Sequence, residues 1–486
     1  MAWAGLGLLA LVAAGIVLTG LPAFMVLLTA AGVGAVLAVA SDTVPLALVA
    51  ALPSRLVNLL ENDLLQALPL YVLMGVLLDR LPIADALFRS GLRVLPRSPA
   101  APLLAGLGLG ALLGPMNGSV GASVLSLSRA VNPRLIARGV PPPLRHATIC
   151  VASTLGVVIP PSLVLILLGD AMLSAHTIAV TATGRPDRVI NTQDVFHGAL
   201  APAGLFFAAS LIAAWWASRG GADAAGFAPR ETVSPREIAL AVASVLALVA
   251  LLGGVAAGYI FAVEGAASGV GVLLLAGLIS GRLRWPVLGP ALADVMATTG
   301  ALFALLIGAT SLTLVLRLLG TDRLIGDWVV GLPGGEPTVV AVVVAIIGLS
   351  AFVLDAFEII FVVVPIVVPP ALVRVADARW VAVLVLLTLQ ASFLLPPFGY
   401  ALMMLRGTLR EAVRLGALVR ALAPFLVAQW AVLAVVLLAP WLVHLGETPQ
   451  DRSRLAPGTL SPQEVDDRLR QLLPPPADMP APDLRP

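Results

Sequence analysis

Long apolar runs separated by short polar or proline-containing connections recur along most of the 486-residue chain. A helix needs about 20 apolar residues to cross roughly 30 Å of hydrocarbon, and most runs approach that length. Strands of a membrane barrel would alternate apolar and polar residues, which these runs do not. The pattern predicts an all-α, polytopic membrane helical bundle. The runs lie at about 3–20, 22–40, 64–78, 147–169, 198–217, 237–257, 263–280, 287–318, 338–353, 379–404 and 421–445.

Composition and charge agree with this prediction and indicate an orientation. Hydrophobic residues make up 59% of the chain and charged residues 12%, whereas a soluble domain carries about 25% charged residues. The arginines cluster in connections that the positive-inside rule assigns to the cytoplasm, so they indicate topology and not a nucleic-acid partner. These connections are 80–97, 129–145, 219–236 and 406–420. The single cysteine, Cys150, excludes a disulfide within the chain and a metal site built from cysteines.

One apolar segment, 100–128, is interrupted by the polar stretch LGPMNGSVGAS at 113–123. An arginine cluster stands at each end, so the segment should enter and leave the membrane on the cytoplasmic side. About 13 apolar residues precede the interruption and about 10 follow it, which reach roughly 15–20 Å. We therefore predict a re-entrant hairpin whose tip, at Asn117, lies near the middle of the bilayer, in a cavity that satisfies its backbone.

A second interruption, VLDAFE, carries two carboxylates, Asp355 and Glu358. It predicts a hairpin at about 354–370 that enters from the periplasmic side. Carboxylates inside a membrane are costly and favour a functional role, as part of a cation site or as a proton carrier. The alternative is that Asp355 caps a helix and pairs with an arginine such as Arg317.

Two Pro-Pro pairs, Pro160–Pro161 and Pro396–Pro397, fall inside the runs 147–169 and 379–404. Proline removes a backbone donor and clashes with the preceding turn, so both helices should break. Freed carbonyls, at positions such as Val157, Val158 and Phe393, would then point into the cavity and suit Na⁺. The alternative is an ordinary proline kink.

Polar side chains near the first tip and the first break are the remaining candidates. Asn117, Ser119 and Ser123 could bind a cation or the substrate, or could cap the helix that follows the tip. Ser153 and Thr154 could contribute hydroxyl ligands, or could bond back to their own helix. For the substrate we select Ser123, Thr154 and Glu358.

Three pairs of features recur in the same order and define an internal repeat. ALPLYVLMGVLL at 67–78 resembles ALFALLIGATSL at 301–312, the tip at Asn117 corresponds to Asp355, and the first Pro-Pro pair corresponds to the second. Because one hairpin enters from each side, the two repeats are inverted, a signature of secondary transporters. The predicted organisation is 1–63, N-terminal membrane helices; 64–217, first repeat; 218–286, intervening helices; 287–405, second repeat; 406–445, amphipathic arm and last helix; and 446–486, disordered tail.

The quoted stretches, with STLGVVIPPSLVLILLG and LQASFLLPPFGYALMMLRG, resemble the large membrane subunit of the tripartite ATP-independent periplasmic (TRAP) transporters, the DctM-like family. The resemblance covers the chain to about residue 445 and implies an elevator-type, Na⁺-driven permease of the bacterial inner membrane. It also implies a small four-helix membrane subunit and a periplasmic solute-binding protein that delivers a small organic acid.

The resemblance further implies that Na⁺ is held where each hairpin tip meets the broken helix of its own repeat. Carried onto this chain, the first site comprises Asn117, Gly118, Ser119, Ser153, Gly156 and Pro160, and the second comprises Asp355, Ala356, Ser392, Pro396 and Gly399. The chain departs from the family pattern in reading Pro-Met-Asn-Gly-Ser at the first tip and in having Leu395 where threonine is common. These departures leave H⁺ open as the coupling ion.

Three other functions compete with this one. A stand-alone ion-coupled anion permease would share the hairpins and need no binding protein. An intramembrane hydrolase would need a paired nucleophile and base, and no such pair stands out, so we expect no enzyme activity and no cofactor other than the coupling ion. A passive channel would not need two opposed hairpins. The sequence does not name the solute.

Overall fold

Helices account for every regular element in the part of the chain that the computed structural model describes. That part comprises residues 2–40, 53–54, 57, 61, 63–95, 98–117, 119–184, 188–219, 233–395, 399–408 and 413–445. Within it, nine helices are long and apolar enough to cross a membrane, and a bent pair adds a tenth if it forms one span. The predicted all-α membrane bundle is confirmed. The predicted disordered tail, 446–486, lies outside the described residues.

The first half of the described chain forms nine helices. They are α1 (Ala2–Thr19), α2 (Ala23–Ala40), α3 (Asp63–Arg80), α4 (Ile83–Val94), α5 (Ala101–Leu113), α6 (Val120–Ala137), α7 (Pro142–Val158), α8 (Leu163–Thr183) and α9 (Thr192–Arg219). The second half adds α10 (Pro235–Ala256), α11 (Ala262–Ile279), α12 (Trp285–Leu318), α13 (Thr321–Val330), α14 (Glu336–Ser350), α15 (Ala356–Arg374), α16 (Ala378–Ser392), α17 (Tyr400–Thr408) and α18 (Leu415–Leu438).

Proline marks the start of several helices. It stands in the first two positions of α5, α7, α10, α12 and α14. There its missing N–H has no helical partner to lose, and its fixed φ suits the first turn. At α10 the preceding Ser234 also accepts a hydrogen bond from Glu237 N, at 3.3 Å. Proline thus starts several helices, whereas single prolines such as Pro202 and Pro424 stand inside helices without breaking them.

The helices pack as two groups. In one group α12 packs along α2 and α3, and α11 packs along α3. In the other, α5, α6 and α7 contact one another, α8 packs along α15, and α16 contacts α14 and α18. Two short helices lie between the groups: α4 contacts α5, α6 and α10, and α13 contacts α1, α12 and α15. The groups meet where the Cβ of an alanine at Gly75 of α3 would come within 2.7 Å of the Asn117 carbonyl oxygen.

Both hairpins differ in extent from the prediction. The second limb of the first hairpin, α6, has 18 residues and continues to Ala137, well beyond the predicted end at 128. The polar continuation is held against α4, because Arg134 forms a 2.5 Å ion pair with Asp85 and lies over the Phe88 ring. The second hairpin likewise extends past 370, to Arg374.

The two short amphipathic helices α4 and α13 were not predicted. In α4 the side chains of Ile83, Leu87 and Phe88 are buried, while Arg89 and Arg93 point away from them. This spacing is helical, but the run is too short and too basic to pass as a membrane segment. The predicted amphipathic arm at 406–420 is not a separate helix in the described residues, since Arg406 belongs to α17 and Leu415 begins α18.

Candidate functional site

The first hairpin turns at the polar tip that the sequence marks. A single 3₁₀ turn, Gly114–Met116, ends the first limb, and Asn117 N donates to Gly114 O at 3.2 Å. Ser119 then takes an extended conformation, and its Oγ accepts from Ala122 N at 3.1 Å. This is an N-cap, so the serine starts α6. Gly118 lies outside the described residues.

A stripe of small residues sets the first limb directly against α7. A Cβ added at Gly110 would overlap the backbone of Ala152, and one added at Gly114 would overlap the backbone of Gly156. The two pairs have the same spacing along the chain, so α5 and α7 run parallel in contact. Small residues four apart allow this close approach between membrane helices. The contact brings the tip of the hairpin to the end of α7.

The predicted break in the first Pro-Pro helix is present. Helix α7 ends at Val158, the chain passes through Pro160 and Pro161, and α8 begins at Leu163. Ser162 spans the gap, because its Oγ donates to Val157 O at 2.8 Å and accepts from Leu165 N at 3.1 Å. The prediction that the Val157 carbonyl is left uncapped is therefore wrong. Sequence analysis missed Ser162, although a serine immediately before an apolar run is a typical helix start.

The tip and the break together line a small cleft that is partly open to its surroundings. Four of the predicted residues line it: Ser119, Ser123, Ser153 and Gly156, together with Ser162 and Gly114. Serines of the hairpin and of the broken helix thus line one space, and hydroxyl oxygens are ligands that a hard cation accepts. The Ser153 hydroxyl also bonds back to its own helix, because its Oγ donates to Cys150 O at 2.7 Å.

Other predicted residues of the first site stand behind this cleft. Asn117 is buried, and its Nδ2 donates to Ser123 Oγ at 3.1 Å, which orients one of the hydroxyls of the cleft. Pro160 lies buried in the break and does not line the cleft. Thr154 is also fully buried, and its Oγ1 donates to Val151 O at 2.9 Å. The cleft therefore brings together only part of the predicted set.

The second tip is built on carboxylates. Asp355 Oδ1 accepts from Ala356 N at 2.7 Å, and Glu358 Oε2 accepts from Asp355 N at 3.0 Å. Both carboxylates thus cap the start of α15, and negative charge is favourable at a helix N-terminus. The side chains of Asp355 and Arg317 form no ion pair. The capping alternative is realised, and capping does not prevent the remaining oxygens from binding a cation.

The second break is also closed by hydrogen bonds. Helix α16 ends at Ser392, whose Oγ donates to Leu389 O at 2.6 Å. Ala401 N donates to Phe393 O at 3.2 Å and Gly399 N to Leu395 O at 2.7 Å, so the Phe393 carbonyl is not uncapped as predicted. Any side chain at position 399 would crowd both carbonyls, at 2.7 and 2.9 Å. Pro396 and Pro397 lie outside the described residues.

Each hairpin packs against a half-helix that follows the other break. Helix α17, after the second break, contacts α6 of the first hairpin, and a Cβ at Gly121 would come within 2.8 Å of the Tyr400 hydroxyl oxygen. Reciprocally, α8, after the first break, packs along α15 of the second hairpin. Each tip is therefore enclosed by its own broken helix and by part of the other one. Sequence analysis missed Tyr400, which directly follows the second motif.

Comparisons with known proteins place this arrangement in a family. A family model described as "Tripartite ATP-independent periplasmic transporter, DctM component" matches residues 9–442. The chain belongs to this family. It is also 22% identical, over 387 residues, to the C4-dicarboxylate TRAP transporter large permease protein DctM of Rhodobacter capsulatus, covering 78% of this chain and 86% of that protein. The predicted family resemblance is confirmed.

A solved structure agrees at the level of the fold. The crystal structure of the Alcanivorax borkumensis YdaH transporter matches with a TM-score of 0.56 at 15% identity, covering 80% of this chain and 87% of that one. As a large permease of the TRAP family, the protein is a secondary transporter and a multi-pass protein of the bacterial inner membrane. Membership also implies association with a small membrane subunit and a periplasmic binding protein.

Proposed function

We propose that this TRAP permease imports a small organic acid together with Na⁺, by an elevator-type movement, and receives the acid from a periplasmic binding protein. The observation that carries the proposal is the cleft in which Ser119, Ser123 and Ser153 face one space at the meeting of a hairpin tip and a broken helix. Hydroxyl and backbone oxygens are the ligands that hard cations such as Na⁺ favour.

The second tip supports the same proposal through its charge. Asp355 and Glu358 each use one oxygen to cap α15, which leaves each carboxylate an oxygen for another partner. Two carboxylates at membrane depth need positive charge nearby, and a bound cation would supply it. The first site is then neutral and the second negative before Na⁺ binds.

The grouping of the helices supports the elevator movement. The hairpins and broken helices pack on one another, while α11 and α12 pack on α2 and α3. Contacts between the groups run through the short helices α4 and α13, through Gly75 of α3, and through the places where α3 meets α8 and α12 meets α15. Such a boundary would let one group slide against the other.

The direct test is uptake into proteoliposomes that contain this chain with its small membrane subunit and its binding protein. Labelled C4-dicarboxylates are a suitable first panel, because the matched relative carries that name. We expect uptake to follow an inward Na⁺ gradient and to stop when K⁺ replaces Na⁺. Uptake driven by a pH gradient and indifferent to Na⁺ would refute the choice of ion. Undiminished uptake without the binding protein would favour the stand-alone permease.

A further inference from the structure

Gln390, in the last turn of α16, is a fully buried amide inside the membrane bundle. Its Nε2 donates to Thr154 Oγ1 at 3.0 Å, and Thr154 Oγ1 in turn donates to Val151 O. The direction of this chain fixes the amide, because a hydroxyl that already donates its proton can only accept. The bond therefore joins α16 to α7, the two helices that end at the breaks.

Gln390 and Thr154 occupy the same position in the two repeats. They are 236 residues apart, which is also the separation of Pro160 and Pro396. When a residue contacts its own counterpart, the contact lies on the axis that relates the two copies. The hydrogen bond thus marks the point where the two broken helices cross.

The bond also lies beside both candidate cation sites. Thr154 directly follows Ser153, which lines the cleft at the first tip, and Gln390 is two residues from Ser392 of the second set. A movement of the C-terminal part of α7 would be transmitted to the last turn of α16 through this hydrogen bond and the packing around it. Buried polar contacts of this kind are strengthened by the low dielectric around them.

We propose that Gln390 is a positioning residue that couples the two cation sites, so that occupation of one site favours occupation of the other. The proposal rests on the proposed Na⁺-coupled function. Reciprocal coupling between two binding sites is an equilibrium property and appears as a sigmoidal dependence on the ligand. In this protein the sigmoidal dependence would be that of equilibrium Na⁺ binding to the purified protein on Na⁺ concentration.

The first test asks whether the side chains of Gln390 and Thr154 stabilise the protein through their interaction. It does not require a transport assay. The melting temperature of the purified protein is measured for Gln390→Leu, Thr154→Val and the double variant. Thr154→Val leaves the buried Nε2 of Gln390 without an acceptor and should be the most destabilised variant. The double variant should melt above it, because both polar groups are gone. If the changes in melting temperature of the two single variants add up to that of the double variant, the two side chains do not interact and the proposal is overturned.

The second test measures the Hill coefficient for equilibrium binding of Na⁺ to the purified protein. We expect a Hill coefficient above 1 in the unaltered protein and a fall to about 1 in Gln390→Leu and in the double variant. Thr154→Ser keeps the hydroxyl and should keep the coefficient of the unaltered protein. Gln429→Leu is the matched control. Gln429 of α18 is equally buried, and its Nε2 donates to the carbonyl of Leu387 in α16. This bond joins α18 to α16 and does not bridge the two broken helices.

The outcomes separate the two proposals. An unchanged Hill coefficient in Gln390→Leu, with Na⁺ dependence intact, would overturn the coupling role alone. An equal fall in Gln429→Leu would also overturn it, because any buried glutamine on α16 would then have the same effect. Uptake by the unaltered protein that ignores Na⁺ would overturn the proposed function and the coupling with it.

Discussion

The two hairpins occupy corresponding places in the chain, but they hold their first limbs by different contacts. In the first hairpin, Gly110 of α5 and Gly114 of the turn that follows it leave no room for a side chain against the backbone of α7. In the second, the limb α14 is rich in valine, and a Cβ at Gly348 would reach only the Thr388 methyl group, at an ordinary 3.6 Å. The first limb thus contacts its neighbouring helix through the backbone in the first hairpin and through side chains in the second.

The tips of the two hairpins also differ in their capping groups, and the second limbs differ in helical regularity. Ser119, a neutral cap, starts a regular α6, whereas Asp355 and Glu358 start a limb that passes through a π-helical stretch, Ile359–Val363. Thr313 Oγ1 of α12 lies 3.4 Å from Phe361 O in that stretch. π-Helical turns in membrane and soluble proteins often mark functional sites. The first tip therefore has a neutral cap and a regular second limb, and the second has carboxylate caps and an irregular second limb.

The largest effect should come from filling the close contact of the first hairpin. Gly110→Ala places a methyl group into the backbone of Ala152, and overpacking of this kind costs about 1–3 kcal/mol. Gly348→Ala is the matched control, since its methyl group has space and alanine favours a helix by about 1 kcal/mol over glycine. Melting temperatures of the purified variants measure both. Equal behaviour of the two variants would contradict the difference between the limbs.

The next effect concerns the charge at the second tip. Asp355→Asn retains an oxygen that can accept from Ala356 N, so the cap is kept while the charge is removed. We expect expression to be normal and the Na⁺ concentration for half-maximal uptake to rise about tenfold, which corresponds to about 1.4 kcal/mol. An unchanged Na⁺ dependence in proteoliposomes would remove Asp355 from the proposed site.

A smaller effect should follow from removing the neutral cap. Ser119→Ala loses an N-cap, which costs about 1 kcal/mol, and it also removes a hydroxyl from the cleft. Ser234→Ala loses the equivalent cap of α10, far from either tip. Both variants should lose similar thermal stability, but only Ser119→Ala should weaken the Na⁺ dependence of uptake. If both weaken it, or neither does, the hydroxyl of Ser119 is not a ligand.

The smallest effect is expected at the polar ends of the second limbs. Arg129 of α6 forms an ion pair with Asp79 at 2.6 Å, and the arginine side chain is exposed. Asp79→Asn should therefore lower the free energy of unfolding by only about 0.2–1 kcal/mol, and by less at high salt. Arg374 of α15 instead donates to the carbonyls of Val330, Leu332 and Gly334 after α13. Arg374→Gln should therefore lower the melting temperature more, with little dependence on salt. An equal salt dependence of the two changes in melting temperature would contradict this contrast between the Arg129 and Arg374 interactions.

Part of the candidate site could be predicted because it depends on local chemistry. The Pro-Pro pair at 160–161 removes a helical donor wherever it stands, and the break between α7 and α8 follows from it. The polar tip at Ser119 and the carboxylates at Asp355 and Glu358 likewise stop one helix and start the next, as their side chains do in most contexts. These residues were found without knowledge of their neighbours in space.

The fate of the freed backbone groups could not be predicted in this way. The Val157 carbonyl is taken by Ser162, and the Phe393 carbonyl by Ala401, so neither is open as the sequence suggested. Thr154 was selected for the substrate, yet it is buried against Gln390 of the other repeat. The partner of each backbone carbonyl depends on which donor the packing of the helices brings within hydrogen-bonding distance.

The sequence by itself determined that the chain is a helical membrane protein, where its helices are interrupted, and which family it resembles. Run length, proline position and capping residues act over a few neighbours, so they can be read along the chain. Only the tertiary structure decided which serines share a cleft, that α4 and α13 are helices between two groups, and that Gln390 of α16 contacts Thr154 of α7. These contacts join residues as far apart as Ala2 and Thr321, and only the packing of whole helices brings such residues within bonding distance.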